Sequence, residues 1–285
     1  MIKKRNLNKY VIMRIIPKIG LHTLLIIGSF FMIFPFIWMI ISSFKPNIDI
    51  VSVGFKLFSP NWTLDNYRKV ISGMNIGRAY FNSIFVATVA TLCTIFSASM
   101  AGFLFSKLKF WGRDALFFLV LGSVMIPPQI VLIPLYLMIS KAHLVNSYPG
   151  LIIPFLINAF GVFLMRQFIY GIPNDLLEAA KIDGASDWKI YFRIILPLVK
   201  SAIAVVGILT FLWAYDEFLW ALVVVNKNEM RTLPLILGRY AMAEGGVVAG
   251  ASMATTTLVL GPLLVVYFFF QRFFIKGISM TGMKG

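Results

Sequence analysis

The sequence predicts an all-α, polytopic membrane protein with six transmembrane helices, and three observations predict it. Hydrophobic residues make up 59% of the 285 and charged residues only 13%, with a mean hydropathy of +0.86; a soluble domain carries about a quarter charged residues. Six segments, at approximately 21–44, 82–106, 114–139, 149–170, 198–225 and 247–271, supply the roughly twenty apolar residues needed to cross the hydrocarbon. The basic residues behind the net charge of +15 gather at the ends of these runs rather than along one face. That is an orientation signal, and it argues against a nucleic-acid partner.

The first run follows Lys3, Lys4, Arg5, Lys9, Arg14 and Lys18. Its apolar stretch is too long for a signal peptide, and Ser42-Ser43-Phe44-Lys45 offers no convincing small-residue cleavage site, so it reads as a retained helix. The outer loop behind it holds Pro46, Pro60 and Trp62, consistent with a folded surface hairpin. Residues 1–77 therefore form a basic N-terminus, a first helix and its loop. Residues 78–271 form a core of five helices with a cytoplasmic segment at about 171–197, and 272–285 a C-terminal tail.

In the second run Thr88, Thr91 and Thr94 share a face with Ser97 nearby; such hydroxyls bond their own helix or join neighbouring ones. Cys93 is the only cysteine, which excludes an intrachain disulfide. In the third run Pro127-Pro128-Gln129, followed by Pro134, breaks the helix near mid-membrane and frees backbone carbonyls. Such a break lines a cavity or is simply packed.

The fifth run carries the acid pair Asp216-Glu217, about 24 to 26 Å along the helix from Lys200. Acids at such depth face water or protein. Trp213, Asp216, Glu217 and Trp220 fall on one helical face. Together with Pro127, Pro128 and Gln129 they are candidate residues of a translocation path or gate; an interfacial aromatic belt is the alternative for the tryptophans. The loop at 226–246 has Gly238, Gly245 and Gly246 for backbone freedom, Leu233-Pro234-Leu235 as an apolar tip, and charge from Lys227, Arg231 and Arg239. Its length favours a contact role, with Arg231, Leu233, Pro234 and Arg239 as candidate contacts.

With six spans, Lys and Arg divide seventeen to nine in favour of the side holding both termini. That side is expected to be cytoplasmic. It includes the long polar interruption at 171–197. There Asn174 is suited to cap a helix with Asp175 and Glu178 early in it, where the helix dipole favours anions. Ala179, Ala180 and Gly184 expose a surface almost free of side chains, and Gly184 suits a helix end that needs positive φ. Ser186 is placed to cap a second helix stopped by Leu196-Pro197. The expected result is a short rigid helix fastened to a transmembrane helix, which is a lever.

Glu178-Ala179-Ala180, three residues, Gly184, nine residues, then Ile194-x-Leu196-Pro197 resembles the EAA signature of the permease subunits of bacterial ABC importers. Asp183 and Ala185 extend the match. Arg166-Gln167-Phe168, Ile172-Pro173, Glu217-Phe218-Leu219-Trp220, Gln271-Arg272-Phe273 and Lys284-Gly285 look like the MalG-type subunit of carbohydrate importers, with Ala221 a departure where many relatives have proline. The resemblance implies a type I importer permease fold. It also implies a second homologous permease subunit, two ATPase subunits that bind ATP and Mg, an extracytoplasmic solute-binding protein, and no cofactor on this chain. By the same resemblance Glu178 to Pro197 couple to the ATPase, the 226–246 loop reaches the binding protein, and Ser279 to Gly285 lie along the ATPase interface.

The sequence weighs against other classes. His22 and His143 are far apart, and no His-Glu-x-x-His, Gly-x-Ser-x-Gly or phosphate-binding loop occurs. A secondary transporter is expected to carry paired repeats or a buried charge relay, and neither is evident. Among importer substrates, a sugar or oligosaccharide leads, with a glycerol phosphodiester or acidic sugar as the alternative.

Overall fold

The computed structural model describes the backbone of residues 2–52, 56–73, 75–241 and 249–281; the side chains of 2–17, 19, 241, 270 and 272–281 are not described. Every regular element among these residues is helical. In chain order the helices are α1 (Ile2–Ser43), α2 (Asn47–Val51), α3 (Asp65–Gly73), α4 (Ile76–Lys107), α5 (Arg113–Ser123), α6 (Pro128–Lys141), α7 (Tyr148–Ile152), α8 (Ala159–Tyr170), α9 (Asn174–Ile182), α10 (Asp187–Ile190), α11 (Leu196–Leu198), α12 (Lys200–Tyr215), α13 (Leu219–Val224), α14 (Leu233–Ala241) and α15 (Ala249–Thr281).

Gly20–Ser43, Ile76–Lys107 and Ala249–Phe269 are each long and apolar enough to cross a membrane alone. Three further spans arise only if bent pairs are joined: α5 with α6 (100°), Tyr148–Phe155 with α8 (46°), and Asp187–Leu198 with α12 (80°). The bends have local causes. Pro128 opens α6 directly behind Pro127, where the missing N–H and the ring both stop a continuous helix. Pro154 lies in the 3₁₀ turn Ile153–Phe155, and Asn158 restarts the chain by accepting the Gly161 N–H at 2.9 Å.

The chain divides into two compact units: Met1–Val70 with Ala243–Thr257, and Ile71–Met242 with Leu258–Gly285. In the first, the loop behind α1 is folded, but from short helices. Asn66 Nδ2 donates to the carbonyls of Ser43 and Lys45, each at 2.8 Å. Lys45 is buried, with Nζ donating to the Lys56 carbonyl at 2.6 Å. Burial pulls its ammonium below the ordinary lysine value, and the Asp49 carboxylate offsets part of that.

In the second unit α4 is central and packs chiefly on α8 and α12. Ala90, Thr94, Ala98, Gly102 and Ser106 recur every fourth residue along it, and all are buried. Small side chains let helix backbones approach in lipid, where no hydrophobic gain separates one apolar contact from another. At Gly102 a Cβ would stand 2.7 Å from the Met165 Cβ and 2.9 Å from the Arg166 backbone N. Thr91 bonds its own helix at Ala87 O. Thr94 and Ser97, by contrast, donate to the carbonyls of Phe155 and Leu156, holding the bend before α8.

The fifth run departs from its expectation of one helix over 198–225. α12 stops at Tyr215, and α13 begins afresh at Leu219. The acid pair causes part of this: the Glu217 carboxylate accepts the Trp220 N–H at 2.8 Å, satisfying a free donor at the start of α13.

Candidate functional site

The segment 174–198 forms two consecutive helices joined by a tight corner. α9 ends in a Schellman motif: the Gly184 N–H donates to Lys181 O at 3.0 Å and the Ala185 N–H to Ala180 O at 2.9 Å. Gly184 takes φ +74°, a conformation that costs an ordinary side chain about 1–2 kcal/mol. Ser186 then caps α10 by accepting the Lys189 N–H, and Lys181 pairs with Asp187 at 3.3 Å across the corner.

Two expectations for this segment change. Asn174 is not the cap: α9 begins behind Pro173 without a side-chain cap, and the Asn174 side chain instead accepts from Lys107 Nζ at 2.9 Å. Leu196-Pro197 is not the stop either. The chain widens to a π turn over Tyr191–Ile195, where the Leu196 N–H reaches Tyr191 O, and it stays helical to Leu198. A proline ring crowds the carbonyl four residues before it and brings no N–H; the widened turn accommodates both.

Burial divides the segment sharply. Leu177, Ile190, Tyr191 and Ile195 enter the core together with Phe103, Met165 and Ile169 of α4 and α8. The Tyr191 hydroxyl lies 2.7 Å from the Ser99 Oγ. Glu178, Ala179, Asp183 and Gly184 are exposed, Ala180, Ala185, Ile194 and Leu196 half-buried, and Pro197 exposed. Ile182 is 87% exposed and Trp188 56%. The result is a helix pair anchored on one side, with acidic, small and apolar residues displayed on the other.

Two basic residues at helix ends turn out to tie neighbouring helices together, Lys107 at the root of this pair and Arg166 between α8, α4 and α5. Lys107 Nζ donates to the carbonyls of Tyr170 and Ile172 as well as to Asn174, tying the end of α4 to the start of α9. Arg166 lies over the Phe117 ring at 3.9 Å, donates to Phe105 O, and faces Asp114 at 3.7 Å. Their spacing at helix ends was visible; their partners were not.

The candidate path residues separate. Trp213, Asp216 and Glu217 share an open cleft of about 450 Å³ with Leu212 and Leu263, and Phe160 meets the Trp213 ring edge-on at 5.8 Å. Trp220 is not on that face. It is 5% exposed, and its Nε1 donates to Gly150 O at 3.0 Å, because the helical period breaks at 216–218. Pro127, Pro128 and Gln129 are exposed at the 100° bend.

The 226–246 loop also departs from its expectation. Leu233 and Pro234 are buried, Leu233 completely, so the apolar tip is core. Ser83 Oγ accepts the Leu233 N–H at 2.8 Å, and Asn82 Nδ2 donates to the carbonyls of Glu229 and Arg231 at 2.9 Å. Gly238 sits where a Cβ would come 2.5 Å from the Phe218 ring, so close packing rather than backbone freedom explains it. Arg231 is half-buried and Arg239 exposed. Gly245, Gly246 and tail residues 282–285 lie outside the described residues. Asn146, which the sequence did not flag, binds this loop to the neighbouring one: its Oδ1 accepts the N–H groups of Asn226 and Lys227 at 2.8 Å.

A family model described as a binding-protein-dependent transport system inner membrane component matches residues 94–280. The chain is similar to the arabinooligosaccharides transport system permease protein AraQ of Bacillus subtilis (strain 168), 34% identical over 275 residues that cover 94% of this chain and 96% of that one. It is similar to the trehalose/maltose transport system permease protein MalG of Thermococcus litoralis, 34% identical with 92% and 96% covered. It is also similar to the lactose transport system permease protein LacG of Rhizobium radiobacter, 31% identical with 93% and 96% covered. The crystal structure of a bacterial ABC transporter that imports the acidic polysaccharide alginate contains a chain of the same fold, with a TM-score of 0.77 at 24% identity, covering 91% of this chain and 96% of that one.

Proposed function

Because this chain belongs to the family of inner membrane components of binding-protein-dependent transport systems, we propose that it is the MalG-type permease subunit of a sugar or oligosaccharide importer. In this reading it forms half of the translocation path and takes its drive from separate ATPase subunits through α9 and α10. The observation that carries the reading is the exposed, core-anchored helix pair with Glu178, Ala179, Asp183 and Gly184 on its free side. The relatives named above transport arabinooligosaccharides, trehalose or maltose, and lactose, which favours a carbohydrate over a glycerol phosphodiester.

The partners in this reading are a second homologous permease, two ATPase subunits on the cytoplasmic side and an extracytoplasmic binding protein. ATP and Mg belong to the ATPase subunits. When these close, a helix pair that sinks small residues into their grooves moves with them. Ile190, Tyr191 and Ile195 pass the motion to α4 and α8, and α11 passes it to α12. The Trp213–Asp216–Glu217 cleft lies at the far end of α12, about 24 Å from Lys200, where the same motion opens or closes the path. Within the last loop, the exposed Arg239 and the Asn226–Glu229 stretch are left as the binding-protein contacts.

Co-purification tests the assignment. Tagged permease extracted in mild detergent is expected to bring its second permease and both ATPase copies in fixed stoichiometry. Uptake of sugar by vesicles holding this chain alone would return it to the secondary transporters. For the cleft, Asp216→Ala is expected to lower sugar uptake about tenfold, the loss of one or two hydrogen bonds to substrate, while the complex still assembles. Uptake within twofold of wild type would make Asp216 an interfacial residue only.

A further inference from the structure

The short turn between α4 and α5 has no role in the coupling reading, yet its residues are unusual. Trp111 is 98% exposed, and Lys109, Phe110, Gly112, Arg113, Asp114 and Ala115 line a shallow groove of about 450 Å³ beside it. Gly112 takes φ +79° and opens α5 without any side-chain cap. Lys107, Lys109, Arg113 and Asp114 together carry a net charge of +2, with Arg166 adjoining at 3.7 Å from Asp114.

We propose that this turn is a binding site for the headgroup of an anionic phospholipid, with Trp111 as its interfacial anchor and Lys109 as the phosphate-facing cation. Position argues for lipid. Only residues 108–112 separate the end of one membrane-crossing helix from the start of the next segment, so the turn cannot stand far from the hydrocarbon boundary. Phe110 is 6.2 Å from Phe105 of α4, which keeps the turn folded against that helix. Below it on α5, Leu116, Phe118 and Leu119 are 48%, 68% and 71% exposed, as on a face presented to acyl chains.

Chemistry argues for the anionic class. Tryptophan concentrates at headgroup level, where its ring is half in apolar and half in polar surroundings, and flanking basic residues add attraction to anionic lipid. Asp114 does not cancel this, since it is held by Arg113 at 3.1 Å and by Arg166, leaving the Lys109 charge to the groove. Lys107, the last residue of α4 beside this turn, holds the start of α9, so a bound headgroup lies next to the base of the lever.

The test uses the assembled transporter in nanodiscs with brominated acyl chains carried on either phosphatidylglycerol or phosphatidylcholine. The quenchable signal of Trp111 is taken as the difference between wild type and Trp111→Phe. That signal is expected to be quenched more strongly by the anionic phosphatidylglycerol, with a half-effect at several-fold lower mole fraction. Lys109→Gln, an exposed and conservative change, is expected to weaken the preference about fivefold, and high salt to do the same. Equal quenching by both lipids, or a preference untouched in Lys109→Gln, overturns the site. Quenching that appears only after the ATPase subunits are stripped from the complex also overturns it, since the turn would then be covered by protein in the transporter.

Discussion

Tryptophan in place of Gly184 is expected to lower sugar uptake by about a hundredfold or more while the permease still inserts and folds. Two costs combine. The backbone at φ +74° strains any L side chain by about 1–2 kcal/mol, which a membrane-anchored helix pair can absorb. Apart from its chain neighbours, no described atom lies within 4 Å of the position a Cβ would take, so a new side chain starts into open space, toward whatever docks there. Overpacking a close-fitting contact costs about 1–3 kcal/mol or more, enough to empty the docked state. Asparagine tolerates the left-handed region, as Asn146 does here at φ 58°, so Gly184→Asn is expected to retain most of the activity. The measurement is ATP-driven uptake together with ATPase stimulation in reconstituted vesicles. Normal stimulation in Gly184→Trp would remove α9 and α10 from the ATPase interface.

Leucine at Gly102 is expected to have the largest effect on the folded state itself. The atoms nearest a Cβ there are Met165 Cβ at 2.7 Å and the backbone of Met165 and Arg166 at 2.9 Å. A flexible side-chain end could yield, but backbone cannot, so α4 and α8 must separate. Separation also lifts Met165 and Ile169 from the cluster that anchors α9 and α10 and draws Arg166 from the Phe105 carbonyl. The loss exceeds the usual 1–3 kcal/mol of a tight core site. Detergent-solubilised Gly102→Leu is expected to melt well below wild type and to yield little assembled complex, whereas Leu92→Ala, at a position 62% exposed, is expected to be neutral. A melting temperature within about 2 °C of wild type would show that α4 and α8 do not meet at Gly102.

Most of the architecture was legible because lipid is an unforgiving solvent. A spanning segment must be apolar and must satisfy its own backbone, so the positions of the long apolar helices follow from runs of residue type. The corner at Gly184 was legible for a different reason: its two hydrogen bonds close within six residues, Ala180 to Ala185, and local sequence decides such geometry. Ser186 and the Pro127-Pro128 break belong to the same class.

What only the tertiary structure decided has long sequence separation in common. Trp220 and Trp213 looked like neighbours on one helix, but Trp220 bonds Gly150, seventy residues away, and the helix between them stops. Leu233 and Pro234 looked like a loop tip, since nothing near them in sequence reveals that Ser83 receives the Leu233 N–H from 150 residues away. The stripe from Ala90 to Ser106 was present as a period of four, but small residues mark an interface only once a partner helix occupies the space they leave. Local chemistry therefore determined the apolar helices, α9 and the corner at Gly184. The burial of Trp220 and the last loop, and the tie from Lys107 to the start of α9, follow from which distant segments share the same few ångströms.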